Sequence, residues 1–324
     1  MSIKDTSSNV KKALISGGSG FVGVYLAEWL LSLGYTVHAL SCNGLGQLPT
    51  EVKFHKADIT VESEVRSVVS EVQPDEVYHL AAVSSVPDSW KNVRRTFDVN
   101  VLGTYHVLDA SASVDSNPFV LNVSTAQVYS PKDEMIDEGS FIGPENPYST
   151  SKAMAELLAA QYSRMGKIRV ITVRPFNHSG PRQDSSFVLS SLAKQVAEIE
   201  LGLKSAVVSV GSIDVERDFV DVRDVVKAYW LLLQKGKPGE IYNVSSGRCY
   251  SIASAIEILK THSSIDFQVS IDTTRLHGGP LRLSGNPAKL IKCTGWRQEI
   301  QFPQIMLDLL DSWRQKIKPI PAML

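Results

Sequence analysis

A tyrosine and a lysine four residues apart open the stretch YSTSK (148–152), which follows Pro147 and leads into a run rich in Ala, Glu, Leu and Met. On a helix, positions i and i+4 share one face, so a phenol and an ammonium placed there can act together. A free phenol titrates near pH ~10, too high for efficient proton exchange at neutral pH; a nearby ammonium, or the positive ring of an oxidised nicotinamide, favours the phenolate. Tyr148 and Lys152 can therefore be a proton donor and the cation that tunes it. Spacing alone favours a solvated surface pair, and the weight comes from the surroundings. The apolar run FVLNVST (119–125) reads as a strand ending in Ser124 and Thr125. A hydroxyl at that strand end can hydrogen-bond the carbonyl that Tyr148 would protonate. Asn100 sits inside a helical stretch, an unfavourable place for Asn, and is a candidate to support the lysine through water.

A second cluster lies near the start of the chain. KALIS (12–16) reads as a strand, and Gly17, Gly20 and Gly23 follow as G-x-x-G-x-x-G before a helical stretch to Leu33, stopped by Gly34. Glycines there permit a tight turn, close approach of backbone to a pyrophosphate and close helix–sheet packing. The helix start offers N–H donors to the phosphate. The strand–turn–helix context is the one this chemistry needs. The second strand, YTVHAL (35–40), ends in Ser41, Cys42 and Asn43. It has neither an acid for a ribose 2′-hydroxyl nor an arginine for a 2′-phosphate. The missing carboxylate removes repulsion and leans towards NADP. Asp58, after a third strand, is placed to hold adenine or to cap a helix.

Around these residues, strands alternate with helical stretches up to IRVITVRP (168–175), which implies a doubly wound parallel sheet with helices on both faces. Later the pattern loosens: loop-rich segments at 177–186 and 203–218 flank a helical stretch, then come a helix over 221–233, a strand over 241–246 and a terminal helix near 303–316. The expected organisation is a dinucleotide-binding lobe of residues 1–176 plus 219–247, with a smaller α/β substrate lobe of 177–218 plus 248–324. A formal net charge of −1 gives no reason to expect nucleic acid or an anionic membrane as partner. Cys42, Cys249 and Cys293 are sparse and far apart, which fits a reducing compartment, the cytoplasm, and no metal-ligand spacing is present. The polar N-terminus lacks the apolar region of a signal peptide, and the apolar window Phe21–Leu40 contains Glu28 and Gly34, so it reads as helix then strand. His79 in VYHLAA reads as structural, His178 as lining a site or a loop, and YWLLL (229–233) as helix core.

These residues resemble the extended short-chain dehydrogenase/reductase family. The resemblance rests on GGSGFVG (17–23), ADI (57–59), HLAA (79–82), NVLGTYHVLDA (100–110), STAQVY (124–129), YSTSK (148–152), RPFNHSGPRQ (174–183), RDFVDVRDVVKAY (217–229), YNVSSG (242–247) and TGW (294–296), across nearly the whole chain. It implies a Rossmann lobe, a nucleotide-sugar lobe and a homodimer formed through two helices per subunit. SSVPDSW (84–90), PFNHSGP (175–181), FVLSSLAKQVAEIE (187–200) and ERDFVDVRD (216–224) are similar to the branch of GDP-mannose 4,6-dehydratases and GDP-6-deoxy-mannose reductases, nearest its reductase side. That implies reduction of GDP-4-keto-6-deoxy-D-mannose to GDP-D-rhamnose with NADP(H) or NAD(H). Carried over, Thr125, Tyr148 and Lys152 are catalytic. The cofactor is met by Gly17, Gly20, Phe21, Val22, Gly23, Ser41, Asp58, Ile59, Leu80, Ala81, Ala82, Asn100, Tyr148 and Lys152. Ser84, Thr125, Asn177, Val188, Lys194, Arg217 and Arg275 face the nucleotide sugar. Arg217 has the clearest physical reason, since a guanidinium grips phosphate bidentately; its plainer alternative is an ion pair with Asp214 or Glu216. Arg275 lies in RLHGGPLRL (275–283), where Arg282 is the alternate diphosphate ligand.

Dehydratases of this branch carry an acid just after the catalytic threonine. Ala126 and Gln127 stand there instead, and neither can act as a carboxylate base. Reduction is therefore the leading expectation. A nucleotide-sugar 4-epimerase with tightly held NAD is the alternative enzyme, and a silent cofactor-binding protein is a reading from another class.

Overall fold

The computed structural model describes residues 10–130, 135–273 and 281–317. They form two compact units. One comprises the chain up to Ser124 with Glu145–Val173 and Tyr229–Ile241; the other comprises Thr125–Pro144, Arg174–Ala228 and the chain from Tyr242.

The first unit begins with β1 (Lys12–Ser16), α1 (Phe21–Ser32), β2 (Thr36–Ser41), β3 (Lys53–Lys56), α2 (Glu62–Val72) and β4 (Glu76–His79). Two short helices, α3 (Val86–Lys91) and α4 (Val93–Phe97), run into a π-helical turn (Asp98–Leu102) and α5 (Gly103–Ala112). β5 (Phe119–Val123), α6 (Pro147–Arg164) and β6 (Arg169–Pro175) follow. Farther along the chain, within the second unit, are β7 (Asn177–Ser179), α7 (Val188–Glu200), β8 (Val207–Val210) and β9 (Glu216–Asp221), followed by α8 (Val222–Lys235) and β10 (Ile241–Val244). The seven-stranded sheet has the order β10-β6-β5-β4-β1-β2-β3. β1 pairs in parallel with both β2 and β4, so the strand order reverses at β1. Crevices for ligands open at the carboxyl ends of strands at such a switch point, and here Gly17 leaves β1. Strand residues Leu14, Leu40, Val77, Val120 and Val170 bury against Val65, Val68 and Val69 of α2 and Val107 and Leu108 of α5. The expected doubly wound parallel architecture is the one observed.

The second unit also contains β11 (Cys249–Ser251), α9 (Ile252–His262), β12 (Gln268–Ile271), β13 (Arg282–Leu283), α10 (Ala288–Thr294) and α11 (Phe302–Ile317). β7, β11 and β13 all pair with β9, and β8 pairs with β12. These strands arise partly within 177–186 and 203–218, segments that the sequence reads as loops. They are two to six residues long, too short for a clear alternating signal. The core of this unit joins Leu189, Leu192 and Val196 of α7 to Ile256, Leu259, Ile305, Leu309 and Trp313. Phe302 stacks on Tyr250 at 4.3 Å and on Phe219 at 5.5 Å between ring centres.

Candidate active site

The glycine turn is fixed by what each missing side chain would strike. Gly17 has φ +70°, and a Cβ there would lie 2.8 Å from the Cα and N of Ala81. A Cβ on Gly23 would lie 2.4 Å from the Gly18 carbonyl oxygen. Gly18 is a further requirement that the G-x-x-G-x-x-G reading passes over, because its Cβ would sit 2.6 Å from that of Ala39; the doubled glycine was its signal. The Gly17 N–H donates to Leu40 O at 2.8 Å, pinning the turn to the neighbouring strand. α1 then starts at Phe21 with no side-chain cap on its N-terminal N–H groups and no acid in its first turn. Such a start, over a backbone cradle that a Cβ would fill, fits the pyrophosphate of a dinucleotide. At the end of β2, Ser19 Oγ donates to Ser41 Oγ at 2.8 Å, and Asn43 N–H donates to the same oxygen at 3.3 Å.

Asp58 bonds within its own loop and to a neighbouring helix rather than capping α2, whose N-cap position is Val61. Its Oδ1 accepts from Thr60 N–H at 2.9 Å and Thr60 Oγ1 at 2.8 Å, forming the turn that enters α2, while its Oδ2 receives Arg95 Nη2 at 3.2 Å. The Ile59 side chain fills the space over Gly103, where a Cβ would approach its Cδ1 to 2.5 Å. Leu80, Ala81 and Ala82 are half-buried in the loop after β4, and Ser84 is exposed in the same loop.

The residues around Tyr148 define a helix start through their caps. Asn146 accepts from Ser149 N–H at 2.9 Å, Ser149 Oγ accepts from Asn146 N–H at 3.2 Å, and Pro147 occupies the first turn. This reciprocal box with proline behind it sets where α6 begins, and so places Tyr148 in the first turn and Lys152 one turn later. Tyr148 is 8% exposed and Lys152 is 1% exposed. Burial pulls the Lys152 pKa down to about 8, opposed by the charge of Glu156 a further turn along. Asn100, fully buried in the π-helical turn, bonds the loop after β4 and α6. Its Oδ1 accepts from Val83 N–H at 2.8 Å, and its Nδ2 donates to Val83 O at 3.1 Å and Ser151 Oγ at 2.9 Å. Ser151, within YSTSK but given no role there, donates its own hydroxyl hydrogen to Tyr148 O at 2.7 Å.

Thr125 follows Ser124 directly beyond β5 and belongs to the second unit. It is 7% exposed, and its Oγ1 accepts from Gln127 N–H at 3.2 Å, which leaves its own O–H to donate. In the same unit Asn177 is exposed at the start of β7, paired with Phe219 of β9. Val188 is exposed at the first turn of α7. Lys194 lies 3.7 Å from the Glu198 carboxylate and over the Trp313 ring. Arg217 donates to the carbonyls of Glu216 at 2.8 Å and Leu281 at 3.2 Å. Among the described residues it makes no ion pair, so the alternative with Asp214 or Glu216 is not the arrangement found; burial lowers its pKa. Arg282 instead approaches Glu216, at 3.6 Å. Arg275 lies outside the described residues. Asp218, overlooked beside Arg217, is fully buried. It accepts from Ser246 N–H and Oγ, Gly247 N–H and Gly285 N–H at 2.6–3.3 Å, tying β9 to two loops. Burial raises its pKa against those four donors. Among the described residues no helix is long and apolar enough to cross a membrane.

Known proteins resemble this chain along nearly its whole length. The family model described as GDP-mannose 4,6 dehydratase matches residues 14–309. The chain is 35% identical over 312 residues to GDP-6-deoxy-D-mannose reductase of Pseudomonas aeruginosa, covering 95% of this chain and 99% of that protein. The solved structure of RMD from Pseudomonas aeruginosa, complexed with NADPH, superposes with a TM-score of 0.84 at 33% identity, covering 95% of this chain and 99% of the other. UDP-glucose 4-epimerase of Thermus thermophilus, in complex with NAD, superposes with a TM-score of 0.84 at 27% identity, covering 94% of this chain and 99% of the other.

Proposed function

The chain belongs to the GDP-mannose 4,6-dehydratase family, and we propose that within it this protein is a 4-ketoreductase that converts GDP-4-keto-6-deoxy-D-mannose to GDP-D-rhamnose. It is an NAD(P)-dependent nucleotide-sugar oxidoreductase. The observation that carries the choice of reduction over dehydration is the pair after Thr125: Ala126 is 2% exposed and has no ionisable group, and Gln127 presents an amide. Elimination of water needs a carboxylate to move protons there; reduction does not.

When bound, the reduced nicotinamide supplies the hydride that goes to C4 of the sugar. The Tyr148 hydroxyl gives its proton to the C4 oxygen, Thr125 donates a hydrogen bond to the same oxygen, and the Lys152 ammonium favours the phenolate left behind. Gly17, Gly20, Phe21, Val22 and Gly23 receive the pyrophosphate, Ser41 the adenosine ribose, and Asp58 and Ile59 the adenine, with Leu80, Ala81, Ala82 and Asn100 completing the cofactor side. Arg217 takes the sugar diphosphate, with Ser84, Asn177, Val188 and Lys194 around the nucleotide sugar. Leu102 and Leu157, 50% and 68% exposed, leave apolar surface near the start of α5 and on α6. That surface supports a homodimer, acting in the cytoplasm.

The test uses purified protein with GDP-4-keto-6-deoxy-D-mannose formed in situ, following loss of NADPH and then NADH absorbance. Stoichiometric oxidation, abolished in Tyr148→Phe, is the expected result. The similarity to an NAD-bound epimerase favours a second reading, nucleotide-sugar 4-epimerisation. No net oxidation, with nicotinamide retained on the purified protein, would replace the first reading with that one.

A further inference from the structure

His79 ends β4 with its ring fully buried, 2% exposed, directly opposite Ser16, the last residue of β1. Ser16 Oγ lies 2.6 Å from His79 Nδ1, and His79 Nε2 lies 2.9 Å from Thr104 Oγ1. Thr104 has one hydroxyl hydrogen, and it goes to the Asn100 carbonyl at 2.6 Å. Thr104 can therefore only accept from the ring, which puts the imidazole hydrogen on Nε2. Nδ1 is then bare and accepts the Ser16 hydroxyl hydrogen. The Ser16 oxygen in turn faces the Ala81 N–H at 3.5 Å. Each hydrogen in this relay is used once and in one direction. Burial, and next the Lys152 charge, pull the His79 pKa down to about 3, so the ring is neutral at any working pH.

The relay has two ends that matter. At one end Ser16 precedes Gly17, and Ala81 is the residue against which Gly17 packs. At the other end Asn100 passes the bonding on through Ser151 to Tyr148 O. His79 is the link that joins the strand ends below the glycine turn to the helical turn that braces α6. A satisfied core histidine would need partners, but it would not need partners leading to both of these places.

We propose that His79, held as the neutral Nε2–H tautomer, is a positioning residue that sets the placement of the Tyr148–Lys152 turn relative to the glycine loop. The inference rests on the reading of Tyr148 and Lys152 as the reacting pair. A shift of about 1 Å in such a pair can cost about 100-fold in rate. His79→Leu, which removes both ring bonds, is expected to lower kcat about 30-fold, with NADPH affinity by fluorescence titration changed much less. His79→Gln can return a donor to Thr104, and is expected to restore most of kcat. Thr104→Val keeps the imidazole but removes both its Nε2–H acceptor and the bond to the Asn100 carbonyl, and serves if His79→Leu does not fold; a fall of about tenfold in kcat is expected. Nitrogen-15 imidazole shifts of the unmodified protein should report the Nε2–H tautomer.

A Thr104→Val protein with unchanged kcat would overturn the proposal. So would equal losses in His79→Leu and His79→Gln that track only a lower Tm, or an Nδ1–H tautomer in the spectrum. Tyr148→Phe, measured alongside, separates the two levels: full activity there sinks the underlying reading, whereas an inactive Tyr148→Phe beside a fully active, folded His79→Leu sinks this inference alone.

Discussion

Lys152 and Asn100 in the first unit are 1% and 0% exposed, whereas Val188 in the second is 39% exposed and Asn177 stands on the surface of a three-residue strand. The first unit closes around its candidate groups: a capping box starts α6, backbone crowding requires Gly17, and Asn100 and Ser151 brace the turn behind Tyr148. The second buries Thr125 at its start but presents Asn177 and Val188 on the outside, and it buries the group that organises the backbone, Asp218. A proton donor must be held to a fraction of an ångström, so its surroundings are dry and fully bonded. Groups that greet a soluble diphosphate and sugar must remain reachable, so order is supplied from beneath. Substitutions at Tyr148, Lys152 and Thr125 should therefore act on kcat, and those at Arg217 and Lys194 on KM for the sugar.

The largest effect is expected at Lys152. Lys152→Met should lower kcat by about 10²–10⁴ and, in the protein free of ligands, raise its stability at neutral pH. The sign follows from the depressed pKa. The folded-state value is about 8 against an ordinary value of 10.5. Below about pH 8 both states carry the proton, and the folded state bears the full cost of a buried charge, up to about 3 kcal/mol. Between the two values the unfolded chain holds more protons, so wild-type stability rises with pH through that window. Thermal melts of both proteins at about pH 7 and about pH 10 should show the variant's advantage shrinking. An advantage that is absent at neutral pH would mean that Lys152 is better compensated than its burial implies.

Arg217→Gln should come next. Loss of a charge-assisted bond to a diphosphate costs about 1.5–3 kcal/mol, so KM for the nucleotide sugar should rise about 10–100-fold with NADPH affinity unchanged. A matching fall in NADPH affinity would erase the proposed division of labour. Asp218→Asn tests the support beneath it. The amide cannot accept from four donors as a carboxylate does, and each buried N–H left unpaired costs about 1–3 kcal/mol. A clear drop in Tm and a KM raised about tenfold are expected, again with NADPH affinity retained.

The same contrast explains what could be read in advance. In the first unit each function needs a particular residue at a set distance from a strand end: glycines where the backbone crowds, Asn146 and Pro147 before a helix, Tyr148 and Lys152 a turn apart. Those requirements leave a linear trace, and so does the doubly wound sheet. The tertiary bonds did not. That Asn100 would brace Val83 and Ser151 depends on a π-helical turn, which has no sequence signature. His79 gained a role beyond structure only when Ser16 and Thr104 were seen on either side of it. In the second unit Asp218 gathers donors from Ser246 and Gly247 in one loop and Gly285 in another, both distant from it in the chain, and loop contacts of this kind leave no periodic trace in the sequence.

Lys194 is where the smallest change is expected. Its ammonium is already near Glu198, at 3.7 Å, and lies over the Trp313 ring, with its side chain 37% exposed. An exposed i,i+4 pair of this kind contributes about 0.3–0.5 kcal/mol. Lys194→Ala should therefore leave Tm nearly unchanged and raise KM for the sugar by no more than about threefold, because screening weakens any pull it exerts on a diphosphate. Assays at low and high salt separate the causes: the small KM difference should vanish as salt rises. A loss as large as that of Arg217→Gln, persisting in high salt, would mean that Lys194 bonds the nucleotide directly in a desolvated site, and that this part of the second unit is built like the first.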